Sequence, residues 1–284
     1  MTAPSTTPRA PLRPAGIRLD LWWVPRAVVL GLLAFIIFGP LTNLVLWTVA
    51  ERWYFPHALP LEYGFSYWQR VFSPRGNAME SLANSVLVAS LTVVLALALA
   101  VPAGYALARL RLPFRALILL AFLIPQAFPN LPVYVNIARL FYQIGLNGTV
   151  AGVVLVHVTH GLVYAVWIAT AAFSAVDREL EQAARSLGAG AFRAFRDVTL
   201  PLAAPGLLAS AIFVFLESLD EFTGSYFVGA PDVNLLPLLL YTAGAGGNYQ
   251  VASITALLLL IPSIAFMLVV ERFLRSDVLS KVGH

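Results

Sequence analysis

Three carboxylates interrupt one of the most apolar stretches of the chain. Glu217, Asp220 and Glu221 follow the run Leu207–Leu216. Their offsets of 0, 3 and 4 place them on one helical face. Acids at membrane depth are costly and face a cavity, a partner or water. Three together repel unless they are screened, paired or protonated. Two settings satisfy that chemistry: the wall of a polar pathway that meets a cation, or a helix end already in external water. Gln126 and Asn130 lie in another apolar stretch, and Tyr226 follows the acids. All three are candidate pathway groups. His157 and His160 are one helical turn apart, a spacing that suits a metal. No third or fourth ligand accompanies them, so we read them as structural histidines and expect no metal. Ser210 and Ser218 are the nucleophiles nearest these histidines in type. Nothing in the spacing pairs them with a base, which leaves an integral-membrane enzyme a distant alternative.

The elements that must position these groups follow from composition. The 284 residues are 60% hydrophobic and 11% charged, with mean hydropathy +0.81. Soluble domains carry about 25% charged residues, so the solvent here is lipid. There is no cysteine, hence no disulfide framework and no thiolate metal site. A spanning helix needs about 20 apolar residues, and its backbone must bond internally. Charge-poor runs place six such helices at residues 27–50, 82–108, 115–141, 149–173, 202–223 and 250–272. The expected fold is therefore an all-α integral membrane bundle. Residues 1–25 read as a disordered tail, 26–79 as the first span and an external loop, 80–275 as the core, and 276–284 as a second tail. The third span contains Pro125, Pro129 and Pro132, each of which removes a backbone donor and bends a helix. The aromatics between Trp53 and Trp68 suit either an interfacial belt or an external partner.

The cations test that topology. With the N-terminus inside, the inner segments hold Arg9, Arg13, Arg18, Arg26, Arg109, Arg111, Arg115, Arg178, Arg185, Arg193, Arg196, Arg272, Arg275 and Lys281. The outer ones hold only Arg52, Arg70, Arg75 and Arg139. This is the positive-inside bias. It accounts for the basic balance without nucleic acid, and it places both termini in the cytoplasm.

The longest charge-dense loop, residues 177–205, then lies inside, between the fourth and fifth spans. It reads Gln182-Ala183-Ala184, three residues, Gly188, nine residues, Val198-Thr199-Leu200-Pro201. This resembles the Glu-Ala-Ala loop of ATP-binding-cassette importer permeases, with both gaps kept, Val198 for Ile and Gln182 for Glu. The resemblance implies the six-span MetI-like bundle, with cytoplasmic coupling helices that engage an ATPase through Glu181, Gln182, Ala183, Ala184, Arg185, Gly188, Leu200 and Pro201. It also implies partners: an ATP-binding-cassette ATPase dimer, a second permease subunit (homologous or identical), an external solute-binding protein and the lipid of a bacterial-type inner membrane. No Gly-rich phosphate loop exists, since the single lysine, Lys281, precedes Val282. The chain thus carries no cofactor, and ATP belongs to the partner. Ser218-Leu219-Asp220-Glu221-Phe222 further resembles the spermidine/putrescine branch. That implies a polyamine-like or other small cationic or polar cargo, with sugar, phosphonate, iron or opine uptake as the alternatives.

Overall fold

The computed structural model describes residues 23–282, with side chains for 24–272. The expected N-terminal tail therefore lies outside the described residues up to residue 22. The chain divides into two units, residues 1–45 and 46–284.

The first unit is the greater part of α1 (Trp23–Thr48). Phe35 is 74% exposed and Phe38 61%, and Leu30, Leu32 and Ile36 are also exposed. A helix apolar on all sides belongs in lipid.

The second unit opens with a small departure from the all-helical expectation. β1 (Ala50–Arg52) pairs antiparallel with β2 (Glu62–Tyr63), ahead of α2 (Ser66–Val71). Trp47 and Trp53 stack at 4.3 Å, and Trp68 Nε1 donates to Thr48 O at 2.8 Å. The aromatics of this segment therefore partly pack on neighbouring residues, while Phe55 and Tyr63 stay exposed.

The remaining helices are α3 (Ala78–Arg109), α4 (Arg115–Ala127), α5 (Asn130–Gln143), α6 (Val150–Ala175), α7 (Arg178–Ser186), α8 (Ala191–Ala194), α9 (Leu200–Asp220), α10 (Thr223–Val228), α11 (Leu236–Ala245) and α12 (Tyr249–Val282). Five helices in the described residues are long and apolar enough to cross a membrane, or six if α4 and α5 form one bent span. The expected third span, 115–141, is not one rod. Its halves meet at 91°. The residue before a proline is pushed out of the helical region, and Phe128 ahead of Pro129 is extended, at φ −95° and ψ 147°. The expected fifth span, 202–223, ends earlier, at Asp220. The expected sixth continues helically past 272 to Val282.

α3, α6 and α9 pack as the centre. Ala96 and Ala100 of α3 meet Ala165 and Ala169 of α6, with Leu207 and Val214 from α9. Lipid supplies no hydrophobic drive for this, so close backbone approach and van der Waals contact hold it. A Cβ on Gly104 would lie 2.8 Å from Ala169 Cβ. That distance leaves room for hydrogen alone at position 104.

Candidate functional site

The loop between α6 and α9 is a helix with two faces. Asp177 caps α7 by accepting from Glu179 N at 2.9 Å. The helix stops at Gly188, whose φ of +94° suits glycine and whose amide donates to Arg185 O. α8 and a π-helical turn, Phe195–Thr199, then lead straight into α9, which carries Pro201 in its first turn.

At 100° per residue, Arg178, Glu181, Gln182 and Arg185 share one face of α7, and Leu180, Ala183, Ala184 and Leu187 the opposite one. The first face holds the helix to the bundle. Glu181 Oε1 accepts from the Tyr105 hydroxyl at 2.7 Å, and Oε2 accepts from Thr199 Oγ1 at 3.0 Å. Arg109 Nε lies 3.6 Å from the same Oε2, with both side chains largely buried. Arg109 also donates to Val176 O, and Arg178 donates to Ala108 O. One carboxylate thus ties α7 to the end of α3 and to the π-helical turn before α9. Glu181, expected at the ATPase contact, faces into its own chain. The second face is bare: Leu187 is 90% exposed, and beyond it Phe192 of α8 is 74% exposed. Gln182, Ala183, Arg185 and Pro201 are exposed or partly so, as are Ala184 and Leu200.

A second polar centre lies where α9 gives way to α10. Glu221 is buried and caps α10, with Oε1 accepting from Gly224 N at 2.6 Å. Ser225 Oγ donates to Glu221 O at 2.9 Å. His157 lies 2.8 Å from that Oγ through Nε2 and 2.7 Å from Ser218 Oγ through Nδ1. Because Ser225 has already used its proton, it accepts from His157 Nε2–H; a ring with one proton then accepts from Ser218 at Nδ1. His160 completes the layer, at 2.6 Å from the Tyr134 hydroxyl and 3.3 Å from Asn130 Oδ1. The partners of both histidines are side chains of α5, α9 and α10. Ser218 does have a histidine beside it, which its spacing did not reveal. His157, Ser218 and Ser225 are all buried, so the pair knits helices. No metal-binding group of three or more residues occurs among the described residues.

The three acids separate. Glu221 is a cap, Asp220 is exposed, and Glu217 is half-buried with an Oε2 that has no hydrogen-bond partner among the described residues. Gln126 Nε2 is likewise without a partner there. Tyr226 is 45% exposed and stacks loosely with Phe222 and Tyr241. It also lines a cavity of about 300 Å³ with Arg75, Asn77, Ser81, Asn234 and Thr242. Sequence reasoning missed Tyr105, Thr199 and Tyr134 and read Arg109 only as a topology marker. The available signal was the four-residue spacing of Tyr105 and Arg109 at the end of a span.

Residues 100–276 match the family described as binding-protein-dependent transport system inner membrane component. A putative ABC transporter permease protein of Streptomyces antibioticus is 32% identical over 200 residues, 69% of this chain and 87% of that one. The trehalose transport system permease protein of Mycobacterium tuberculosis is 31% identical over 220 residues, 75% of this chain and 80% of that one. In fold, the chain is similar to a subunit of a bacterial ABC transporter involved in the import of the acidic polysaccharide alginate. The TM-score is 0.67 at 20% identity, covering 93% of this chain and 99% of that one.

Proposed function

The chain belongs to the family of binding-protein-dependent transport system inner membrane components, and from that premise we propose that it couples a separate ATPase to the uptake of a sugar. It is the membrane permease subunit of an ABC importer. α7 and α8 are the docking element: their exposed Leu187 and Phe192 seat in the ATPase, and the Glu181 clamp carries the ATPase's motion into α3 and α9. Two conformations of the pathway then differ in their contacts at this loop, which is what lets ATP shift their populations. A second permease subunit completes the pathway, an external binding protein delivers cargo, and both termini face the cytoplasm. Lack of catalysis by the chain itself is part of the same reading: His157 and the two serines beside it, Ser218 and Ser225, are sealed in the core.

The single observation carrying the coupling role is a large apolar surface held outward by a clamped helix. A bare Leu at 90% exposure in a charged loop marks a contact surface. Leu187→Asp should leave membrane insertion unchanged and reduce copurification of the ATPase at least tenfold. Undiminished copurification would refute the docking role.

For the cargo, the polyamine branch suggested by Ser218–Phe222 gives way to sugars. Relatives are named for trehalose, maltose/maltodextrin and diacetylchitobiose transport, and none of these is named for a polyamine. The residues offer a reason: Glu221 is occupied as a helix cap, so the acidic cluster does not act as one cation site. The cavity beside Tyr226 has amides, hydroxyls and an aromatic face, a lining suited to a hydroxyl-rich solute. Titrating the cognate external binding protein with trehalose, maltodextrins and spermidine tests this, and spermidine binding alone would reverse it.

A further inference from the structure

The inward face of α7 closes a cleft that the docking role does not use. It encloses about 200 Å³ between the end of α3 and α7. Arg109, Arg178 and Arg185 supply three guanidinium groups, against one carboxylate, Glu181. That carboxylate stands against Arg109 and balances one of the three charges, leaving Arg178 and Arg185 in excess. Arg109 is the informative residue. Its side chain is 7% exposed, yet its Nε has no hydrogen-bond partner among the described residues and stands 3.6 Å from Glu181. A buried donor without a hydrogen-bond partner is open to an acceptor oxygen brought by a ligand. Arg178 has donors to spare beyond the one given to Ala108 O, and Arg185 forms no ion pair among the described residues. With a net charge of about two positive, the ligand that balances the cleft is an anion with several acceptor oxygens, and guanidinium forks fit phosphate oxygens.

Location narrows the source. The cleft lies where the 32-residue apolar α3 ends, at Arg109. Leu110, which lines it, is 55% exposed, and Phe114 nearby is 76% exposed. Apolar side chains beside arginines at the end of a span mark the membrane interface. Basic pockets at such ends take anionic headgroups. A protein docked on Leu180 and Leu187 occupies the opposite side of α7. We therefore infer that the cleft of Arg109, Arg178 and Arg185 binds the phosphate headgroup of an anionic membrane lipid, which seats the coupling helix against the bilayer.

The test is native mass spectrometry of the full chain in mild detergent, titrated with phosphatidylglycerol or phosphatidylcholine. Wild type should retain phosphatidylglycerol in preference to phosphatidylcholine. Each cleft arginine contributes about fivefold, so Arg178→Gln with Arg185→Gln should weaken retention roughly 25-fold. Arg193→Gln with Arg196→Gln, which removes the same charge from the same loop outside the cleft, should leave it within about twofold. Should the double variant at 178 and 185 fail to fold, Arg185→Gln alone, on an exposed side chain, should show the single fivefold step. Equal losses in both doubles would mean diffuse attraction and overturn the site. Displacement of the lipid by inorganic phosphate at equal concentration would assign the cleft to a soluble anion and overturn the lipid. Displacement by the ATPase would assign it to a protein carboxylate and overturn the lipid equally.

Discussion

Two regions each contain a carboxylate where one helix ends and another begins, and they use it in opposite ways. At the loop between α6 and α9, Glu181 accepts from Tyr105 and Thr199 and faces Arg109, so its lone pairs and its charge are both matched. At the α9–α10 break, the matching is uneven. Glu221 is satisfied by Gly224 N, while Glu217, one turn earlier, has an oxygen with no partner among the described residues. A fully matched carboxylate fixes geometry, because moving any partner strands a buried charge. A partly matched one is free to answer a solute, a water or a change in helix position. The loop that carries α7 is therefore held firmly against the bundle, and the break is the less constrained of the two.

The sharpest way to break this contrast is to remove the matched acid. Glu181→Ala leaves Arg109 buried without its counter-ion and two hydroxyls without their acceptor. Breaking a buried pair from one side costs about 3 kcal/mol or more. The expected outcome is a clear fall in thermal unfolding temperature in detergent, together with loss of ATPase copurification despite an intact Leu187. Glu181→Gln should recover part of the stability, since its amide oxygen still accepts one hydroxyl. An unfolding temperature unchanged by Glu181→Ala would show that the clamp is ornamental and that α7 is held by its flanking backbone alone.

The unmatched acid should behave differently. Glu217→Gln keeps the shape of a side chain whose Oε2 no described partner holds, so stability should move by less than about 1 kcal/mol. If the cargo is a neutral sugar, the substrate concentration for half-maximal uptake should also stay within about twofold of wild type. A rise of tenfold or more would restore a cationic cargo and return the break to the role its three acids first suggested.

Much of this architecture was legible in the sequence, and the exceptions share a cause. Apolar runs located the spans because length and charge alone decide what lipid accepts. The loop between α6 and α9 was legible because it is the longest charge-dense run and carries the spacing of Gln182-Ala183-Ala184, Gly188 and Leu200-Pro201. Glu181's inward turn was not legible. Which face of a short helix packs depends on what it packs against, and Tyr105 lies 76 residues away. The same holds for His157 and Ser218, 61 residues apart. The bend between α4 and α5 was anticipated as a kink, but its size was not, because three prolines permit any angle and the neighbours choose one. Ser218–Phe222 has structural partners of its own that were hidden for a related reason. Ser218 serves His157 and Glu221 serves Gly224, so a short motif that looked like a cargo signature is largely the hardware of a helix break.

A fourth carboxylate separates matching from burial, the two properties that Glu181 combines. Glu51 accepts from both the amide and the hydroxyl of Ser66, pinning α2 to β1, but it lies in a solvent-facing position. The hydrogen bond from the Ser66 hydroxyl, followed by the one from its amide, holds the Glu51 carboxyl below its ordinary value of 4.5. A depressed folded-state value means that the anchoring is fully present above the ordinary carboxylate range. It is lost as pH falls through the folded value, somewhere below 4.5. Glu51→Gln should therefore speed hydrogen exchange at the Ser66 amide at neutral pH while changing global unfolding least of the three substitutions. The same exchange should rise in wild type on acidification, and the variant should show no such pH step. If Glu51→Gln instead destabilised the protein as much as Glu181→Ala, matching alone would set the energy. Burial would then be irrelevant, and the distinction between the clamp and the break would rest on counting hydrogen bonds. The expected small effect keeps burial in the argument: water replaces the lost partner at Glu51, and at Arg109 it has little access.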